Sequence, residues 1–362
     1  MTQNPKKIIH EDRRRGRGSR SNISGRYENL SRDDFDDGWG TIENAEPFKT
    51  EVFEEKAKTV LTTNKSPDIP FEQSINPYRG CEHGCPYCFA RPTHAYMGLS
   101  PGLDFESKLY VKVNAAEVLR KELAKPKYVP KMIAMGTNTD PYQPIERKYK
   151  ITRTILEVCN ETNHPVGVVT KSALVTRDID ILAELARKQL TKVGISVTTL
   201  DRKTARSMEP RASTPSKRLE ALKLLHEAGI PTMVMVAPVV PGINDHEIEA
   251  ILDQARLSGV SSAHYVLLRL PLELKDIMKE WLETDFPDRA KKVYNILRSM
   301  RGGQLYNSEF GERMTGDGAY ARLIQQRFEK YLSRHKLNKQ NHILRTDIFV
   351  HPRPDTDQME LF

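Results

Sequence analysis

The sequence predicts an α/β fold of six strand-helix units forming a partial (β/α)6 barrel, with C-terminal helices and flexible N- and C-terminal tails. Three observations predict it. From Asn114 onward, strand-like runs alternate with helix-period segments, the signature of a parallel sheet with crossover helices. Counted from a first strand near Ser74, the alternation yields six units, fewer than the eight that close a full barrel. Beyond Leu270 the pattern becomes helical only.

The elements follow in order. The first strand, near Ser74, enters a cysteine-rich loop. Asn114 is placed to cap a helix through Ala124, and Lys131-Met-Ile-Ala-Met135 reads as a short strand ending at Gly136. A helix near 146–162 precedes the strand Val166-Gly-Val-Val169, and a helix near 178–189 precedes Val193-Gly-Ile-Ser-Val-Thr198. A helix from Thr214 to Glu227 stops at Gly229, then Thr232-Met-Val-Met-Val236, a helix from Asp245 to Leu257 and Ala263-His-Tyr-Val-Leu-Leu268 complete the series. Further helices are predicted near 272–283, 287–300 and 317–336, with Pro287 in a first turn, Gly302-Gly303 as a stop and Asp317 as a cap.

The domain plan is a flexible basic arm over 1–26, an acidic extension over 27–70, the barrel over 71–270, a helical region over 271–336 and a tail over 337–362. The net charge of +8 is unevenly spread: residues 1–26 carry +6, residues 27–55 carry −8, and the body carries +10. A basic body beside an acidic segment fits a polyanionic partner such as DNA or another nucleic acid, although solvated surface charge explains it equally well. No stretch approaches the ~20 apolar residues that span a bilayer, so a cytoplasmic protein without a membrane partner is expected.

Three of the four cysteines fall in Cys81-Glu-His-Gly-Cys85-Pro-Tyr-Cys88. Thiolates at this spacing can ligate three irons of a 4Fe-4S cluster and leave the fourth iron without a protein ligand. A structural zinc site is the alternative, and it would need His83 or His94 as its fourth ligand. A disulfide framework does not suit four cysteines in 362 residues.

The cysteine loop with Tyr87, flanked by Asn76-Pro-Tyr-Arg-Gly80 and Phe89-Ala-Arg-Pro-Thr-His94, resembles the radical S-adenosylmethionine (SAM) superfamily, in particular its spore photoproduct lyase-related branch. Gly136-Thr-Asn-Thr-Asp-Pro-Tyr-Gln-Pro-Ile-Glu146 and Pro241-Gly-Ile-Asn-Asp245 add to that resemblance. It implies a radical SAM barrel in which a 4Fe-4S cluster and S-adenosyl-L-methionine are cofactors and an electron donor such as flavodoxin or ferredoxin is a partner. It also implies that SAM chelates the open iron and is cleaved to a 5′-deoxyadenosyl radical that abstracts hydrogen from a substrate. DNA repair of the photoproduct-lyase kind is then the expected function, with a peptide, RNA or small molecule as alternative substrates and a non-catalytic iron-sulfur binder as another reading.

Loops after the carboxyl ends of parallel strands share one face, so cofactor residues are sought there. The resemblance implies that Thr137, Asn138 and Thr139 bind the amino group of SAM and that Lys171 contacts SAM, with Tyr87 beside the cluster. Period-two alternation puts Gly194, Ser196 and Thr198 on one face of their strand, where hydroxyls suit a ligand's ribose and carboxylate. Arg206 is a candidate partner for the SAM carboxylate, since guanidinium binds carboxylates bidentately; a surface arginine is the alternative. Spore photoproduct lyase uses an additional cysteine as a hydrogen donor. Here Ile151, Ile155 and Cys159 recur every four residues of a helix, so Cys159 reads as core.

The terminal Gln358-Met-Glu-Leu-Phe362 resembles the peptide by which bacterial repair proteins dock on the sliding clamp. Leu361 and Phe362 would fill an apolar pocket and Gln358 would set register. The Pro-rich stretch before it gives such a peptide reach; folding back of the two apolar residues on the body is the alternative.

Overall fold

The computed structural model describes residue 9 and residues 14–28, 47–339 and 343–352. Ten strands are present among them: β1 (Glu51–Glu55), β2 (Thr62–Thr63), β3 (Gln73–Ile75), β4 (Tyr78–Arg79), β5 (Lys108–Lys112), β6 (Ile133–Met135), β7 (Val166–Thr170), β8 (Thr191–Ser196), β9 (Thr232–Val239) and β10 (Ser262–Leu267). Seven form one sheet in the order β10-β9-β8-β7-β6-β3-β2. All neighbours from β3 to β10 pair in parallel, and β2 adds an antiparallel edge. This is the partial barrel of six parallel strands, open between β10 and β2.

The core lies between the sheet and its crossover helices. Val193, Ile195 and Val197 are fully buried toward the helices, as are Val166, Val168, Ile133, Met135, Val234 and Val236. Alternation therefore turns Gly194 and Ser196 to the concave side. Gly194 makes room there for a larger neighbour: a Cβ on it would meet the Met233 side chain at 2.6 Å.

Several boundaries differ from the sequence reading for identifiable reasons. The helix expected over 146–162 is two helices, Glu146–Tyr149 and Ile151–Glu161, because Lys150 adopts φ 53° between them. Asn114 does not cap its helix; its side-chain amide instead pairs with Ala57, accepting from the N–H at 2.8 Å and donating to the carbonyl at 3.0 Å. Asp317 likewise makes no side-chain cap and pairs with Arg322. A second sheet, β1-β5-β4, was not foreseen; β1 is too exposed and charged to show an apolar pattern.

Both tails need correction where they are described. Residues 14–28 do not form a free arm: Arg14, Arg17, Ser19, Arg20 and Ser21 are buried. Carboxylates on the body attract this basic segment. Glu106 accepts from the Gly18 and Ser19 N–H groups at 2.8 and 2.7 Å, Arg20 pairs with Asp285, and Ser21 Oγ donates to Glu280 at 2.5 Å. Residues 343–352 form a strap under the barrel. The N–H groups of Arg345 and Val350 donate to Gln189 O at 3.0 Å and Thr162 O at 2.9 Å, and His351 bonds Leu123 O at 2.9 Å. Those carbonyls lie at or just beyond the carboxyl ends of three crossover helices, where backbone acceptors lack intrahelical partners. The clamp-like Gln358, Leu361 and Phe362 lie outside the described residues.

Of the C-terminal helices, Gly318–His335 packs on Ile248–Leu257 through Arg327–Glu249 and Tyr331–Asp253. The loop after Pro287–Ser299 then runs along the free edge of β10, where Leu267 N–H donates to Met314 O at 2.9 Å.

Candidate cofactor site at the cysteine loop

The cysteine loop follows β3 and β4 and is held from below by one buried ion pair. Arg91 and Glu106, both fully buried, pair directly. Arg91 also donates to Cys85 O at 2.8 Å, Gly84 O at 3.2 Å and Gly102 O at 2.8 Å, so one guanidinium fixes the loop's backbone. The N-terminal segment covers the loop from outside. A Cβ on Gly18 would lie 1.6 Å from Gly84 O, an approach that only glycine allows.

Cys81 and Cys85 are buried, Cys88 is half-buried, and all three are free thiols. Burial pushes all three thiols upward, Cys85 to about 12, and the thiols oppose one another's ionisation. They therefore need a cationic centre to be held as thiolates. His83 Nδ1 lies 3.3 Å from Asp140 Oδ2 without a hydrogen bond, and His94 bonds Lys108 O at 3.0 Å through Nε2 while its Nδ1 has no partner. Among the described residues no three His, Cys, Asp or Glu side chains converge on a single-ion site. An iron-sulfur cluster asks for something different, thiolates spread around a cube of several atoms, and the donor set of three cysteines fits it. Cys159 is fully buried in the helix-side core, with its thiol pushed up to about 12 by burial, as the helical spacing implied.

A buried polar network stands beside Cys85. Tyr87 donates to Glu209, whose other oxygen takes Arg218, and Arg218 donates further to Ser196 O at 3.0 Å and Ser213 O at 2.7 Å. Lys171 Nζ stands 5.8 Å from the Tyr87 ring centroid. Burial would lower the Lys171 ammonium, but the negative charges of Cys85, Glu209 and Asp140 outweigh it and raise it. Burial would raise the Glu209 carboxyl; Arg218 and Lys171 reverse this and hold it below its ordinary value. Asp140 is likewise kept ionised against burial by His83, the Thr170 hydroxyl and the Lys171 N–H.

The predicted residues fall into four groups. Tyr87, Lys171 and Ser196 come together around Glu209 and Arg218. Thr198, just past β8 and 1% exposed, carries a buried hydroxyl with no hydrogen-bond partner among the described residues. Burying an unpaired hydroxyl is unfavourable, so a ligand atom is the natural partner. Thr137, Asn138 and Thr139 form the turn after β6, held by Asn76: its Oδ1 accepts from Asn138 N–H at 2.9 Å, and its Nδ2 donates to Thr137 Oγ1 at 3.1 Å. Thr139 Oγ1 donates to Tyr78 O at 3.3 Å, so two of the three side chains also hold the turn in place. Arg206 is exposed on Arg202–Met208 and has no bonded partner among the described residues; the structure does not join it to the buried network.

Sequence reasoning missed Asn76, Glu106, Glu209 and Arg218 as organising residues. Asn76 stands inside the Asn76-Pro-Tyr-Arg-Gly80 motif, but no local pattern announces a partner more than sixty positions away. A small polar cavity of about 130 Å³, lined by His83, Tyr142, Ser172, Arg211 and Ser213, adjoins the loop. It falls below the roughly 300 Å³ of ordinary small-molecule sites.

Comparison with known proteins agrees with this architecture. The family model described as the Radical SAM superfamily matches residues 75–255. An uncharacterized protein of Mycobacterium tuberculosis is 35% identical over 240 residues, 65% of this chain and 71% of that one. A radical SAM Nalpha-GlyT isomerase of Pseudomonas phage M6 is 28% identical over 243 residues, 64% of this chain and 48% of that one. Among solved structures, a mutant spore photoproduct lyase with bound AdoMet and dinucleoside spore photoproduct superposes with a TM-score of 0.57 at 15% identity, covering 78% of each chain.

Proposed function

Because the chain belongs to the radical SAM superfamily, we propose that it is an enzyme that reductively cleaves SAM at a 4Fe-4S cluster held by Cys81, Cys85 and Cys88 and acts on nucleic acid. The observation that carries the cofactor reading is the placement of three cysteines, two buried and one half-buried, on the loop beside the Lys171–Tyr87–Glu209–Arg218 network, together with the unpaired Thr198 hydroxyl two residues past the Ser196 carbonyl that Arg218 bonds. When bound, the cluster supplies the electron that cleaves SAM to a 5′-deoxyadenosyl radical.

The chain's own residues prepare the site for that chemistry. Ser196 and Thr198 would offer hydroxyls to the ribose or carboxylate of SAM, and the turn that carries Asn138 would receive its amino group. Lys171 stays charged in a buried setting and orients an anionic group of the cofactor. Tyr87 is held protonated by burial and by Glu209, so it acts as a fixed donor and a floor for Lys171. Arg218 fixes Glu209 and the end of β8 together.

The nucleic-acid reading is supported by the body charge of +10 and by the likeness to a lyase solved with a dinucleoside photoproduct. An electron donor of the flavodoxin or ferredoxin kind completes the system, and the terminal peptide fits a sliding clamp. No helix of the described residues is long and apolar enough to cross a membrane. The deciding experiment is anaerobic reconstitution followed by reduction in the presence of SAM. About four irons and four sulfides per chain and the appearance of 5′-deoxyadenosine are expected, and mass shifts in added DNA or RNA identify the substrate. Absence of 5′-deoxyadenosine from the iron-loaded, reduced protein would overturn the enzyme reading.

A further inference from the structure

Two arginines at the mouth of the barrel are not used by the cofactor site. Arg269 lies just past β10, on the face where the loops after the strands converge. Its guanidinium carbon stands 5.0 Å from the centroid of the Phe89 ring, and Phe89 directly follows Cys88 with 46% of its surface exposed. The loop after the last strand and the loop after the first therefore meet at this contact, beside the cysteines. Arg269 Nε is buried with no hydrogen-bond partner, and its Nη1 reaches only the Met314 sulfur at 3.6 Å.

Arg301 lies in its electrostatic reach. It is 3% exposed, donates to the carbonyls of Leu268 and Glu312, and leaves its own buried Nε without a partner. Burial, and with it the Arg269 charge, lower the Arg301 guanidinium more than Tyr306 and the Glu312 carboxylate raise it. Neither guanidinium bonds a carboxylate among the described residues. Two neighbouring cations with buried, unused donors are unfavourable until an anion arrives.

We propose that Arg269 and Arg301 form a subsite for a backbone phosphate of a single-stranded nucleic-acid substrate, with the exposed Phe89 ring as the platform on which the adjoining base stacks. This deepens the nucleic-acid reading and rests on it. Phosphate oxygens accept from guanidinium forks more fully than any single carboxylate can from two arginines, and an aromatic face next to such a fork is the chemistry of sequence-tolerant strand binding. The position beside Cys88 brings the base nearest that phosphate to the cofactor.

The test titrates the anaerobically reconstituted full chain with a labelled single-stranded deoxyoligonucleotide at several salt concentrations. A deoxynucleoside monophosphate serves as a second probe. Arg269→Gln should bind the oligonucleotide about tenfold more weakly, and its log-log salt slope should shrink by about one. Arg269→Lys should recover the slope and only part of the affinity, because charge returns without the fork. Arg301 braces two loops, so melting curves accompany Arg301→Gln and the conclusion rests on the Arg269 variants. If wild-type protein binds the strand while Arg269→Gln matches it in affinity and slope, the subsite is overturned and the nucleic-acid reading stands. If wild-type protein binds no strand, both fall, and Arg269-dependent binding of the mononucleotide alone would overturn the strand assignment.

Discussion

Arg313 and Asp68 join the two edges of the open sheet. Arg313 sits on the loop that runs along the free edge of β10, Asp68 sits between β2 and β3 at the opposite edge, and the guanidinium grips the carboxylate at 2.7 and 2.5 Å. Both side chains are largely buried, at 14% and 10% exposure. A partial barrel of six strands cannot close by strand pairing, and here one bidentate pair spans the gap. The same loop contacts Arg269 through Met314 and Arg301 through Glu312, so this clasp also sets the mouth of the barrel.

Breaking the clasp should loosen the open side without dissolving the core. Arg313→Ala is expected to cost about 1–2 kcal/mol, the range for a partly screened charged pair, read as a lower midpoint in denaturant titration. The hydrogen bonds from Arg313 hold the Asp68 carboxyl below its ordinary value. The folded state therefore favours the ionised form: this contribution is fully present above the unfolded carboxylate value of about 4 and is lost as pH falls through the lowered folded one. Asp68→Asn should remove that acid dependence, and an unchanged pH profile in the variant would show that the clasp is not its source.

Changing Cys81, Cys85 or Cys88 singly to Ala should abolish the visible absorbance of the reconstituted cluster together with SAM cleavage. Cys159→Ala should keep both and cost about 1 kcal/mol or more for the small cavity it leaves in the helix-side core. Iron analysis and absorption spectra of the four variants decide it. A Cys159 variant that loses iron while remaining folded would place that thiol at the cluster after all.

Thr198→Val offers a sign that a merely structural threonine would not give. The hydroxyl is buried without a partner, so replacing it with a methyl group should leave the protein without SAM as stable or up to about 1 kcal/mol more stable. SAM should bind more weakly to the same variant, because the partner awaiting its ligand has gone. Ser196→Val should also weaken SAM binding while keeping the strand's propensity. Calorimetric titration with SAM, paired with thermal melting, separates the two effects; Thr198→Val that melts lower and binds SAM normally would remove the residue from the site.

How far these features were legible depends on the range of the interaction that makes them. The six units, the core face of β8 and the burial of Cys159 follow from periods of two and about four residues, and those survive in a local reading. The docking of residues 14–28 does not, because its apolar content is low and its binding energy comes from carboxylates at Glu106, Glu280 and Asp285, far along the chain. A run of arginines carries no mark of whether its partner is a nucleic acid or its own body. The sequence points to Arg206, and it took the fold to show that Tyr87, Lys171 and Arg218 all turn to Glu209 instead.

Gly18→Ala should detach the N-terminal cover from the cysteine loop. Gly18 has no need of a left-handed conformation; the constraint is the 1.6 Å approach of an added Cβ to Gly84 O, which no small adjustment relieves. Overpacking of this kind costs about 1–3 kcal/mol, concentrated on the docking of the segment. Limited proteolysis near residues 13–28 should become fast, and the cluster should bleach sooner in air as the loop gains exposure. Equal protection of wild-type and variant protein would mean that the segment does not shield the loop.

The strap over 343–352 crosses under the barrel, tied to carbonyls of Leu123, Thr162 and Gln189 that precede the amino ends of β6, β7 and β8. His351 therefore lies at the face opposite the cysteine loop and the barrel mouth. Deleting Gln358–Phe362, or changing Leu361 and Phe362 to Ala, should abolish binding to a bacterial sliding clamp and leave iron content and SAM cleavage unchanged, because such motifs rest on a few apolar anchors. A synthetic peptide covering 354–362 should bind the clamp alone with micromolar-order affinity. If a direct titration finds no binding by protein or peptide, the tail has no part in recruitment and the nucleic-acid reading rests on the charge of the body and on the arginines at the mouth.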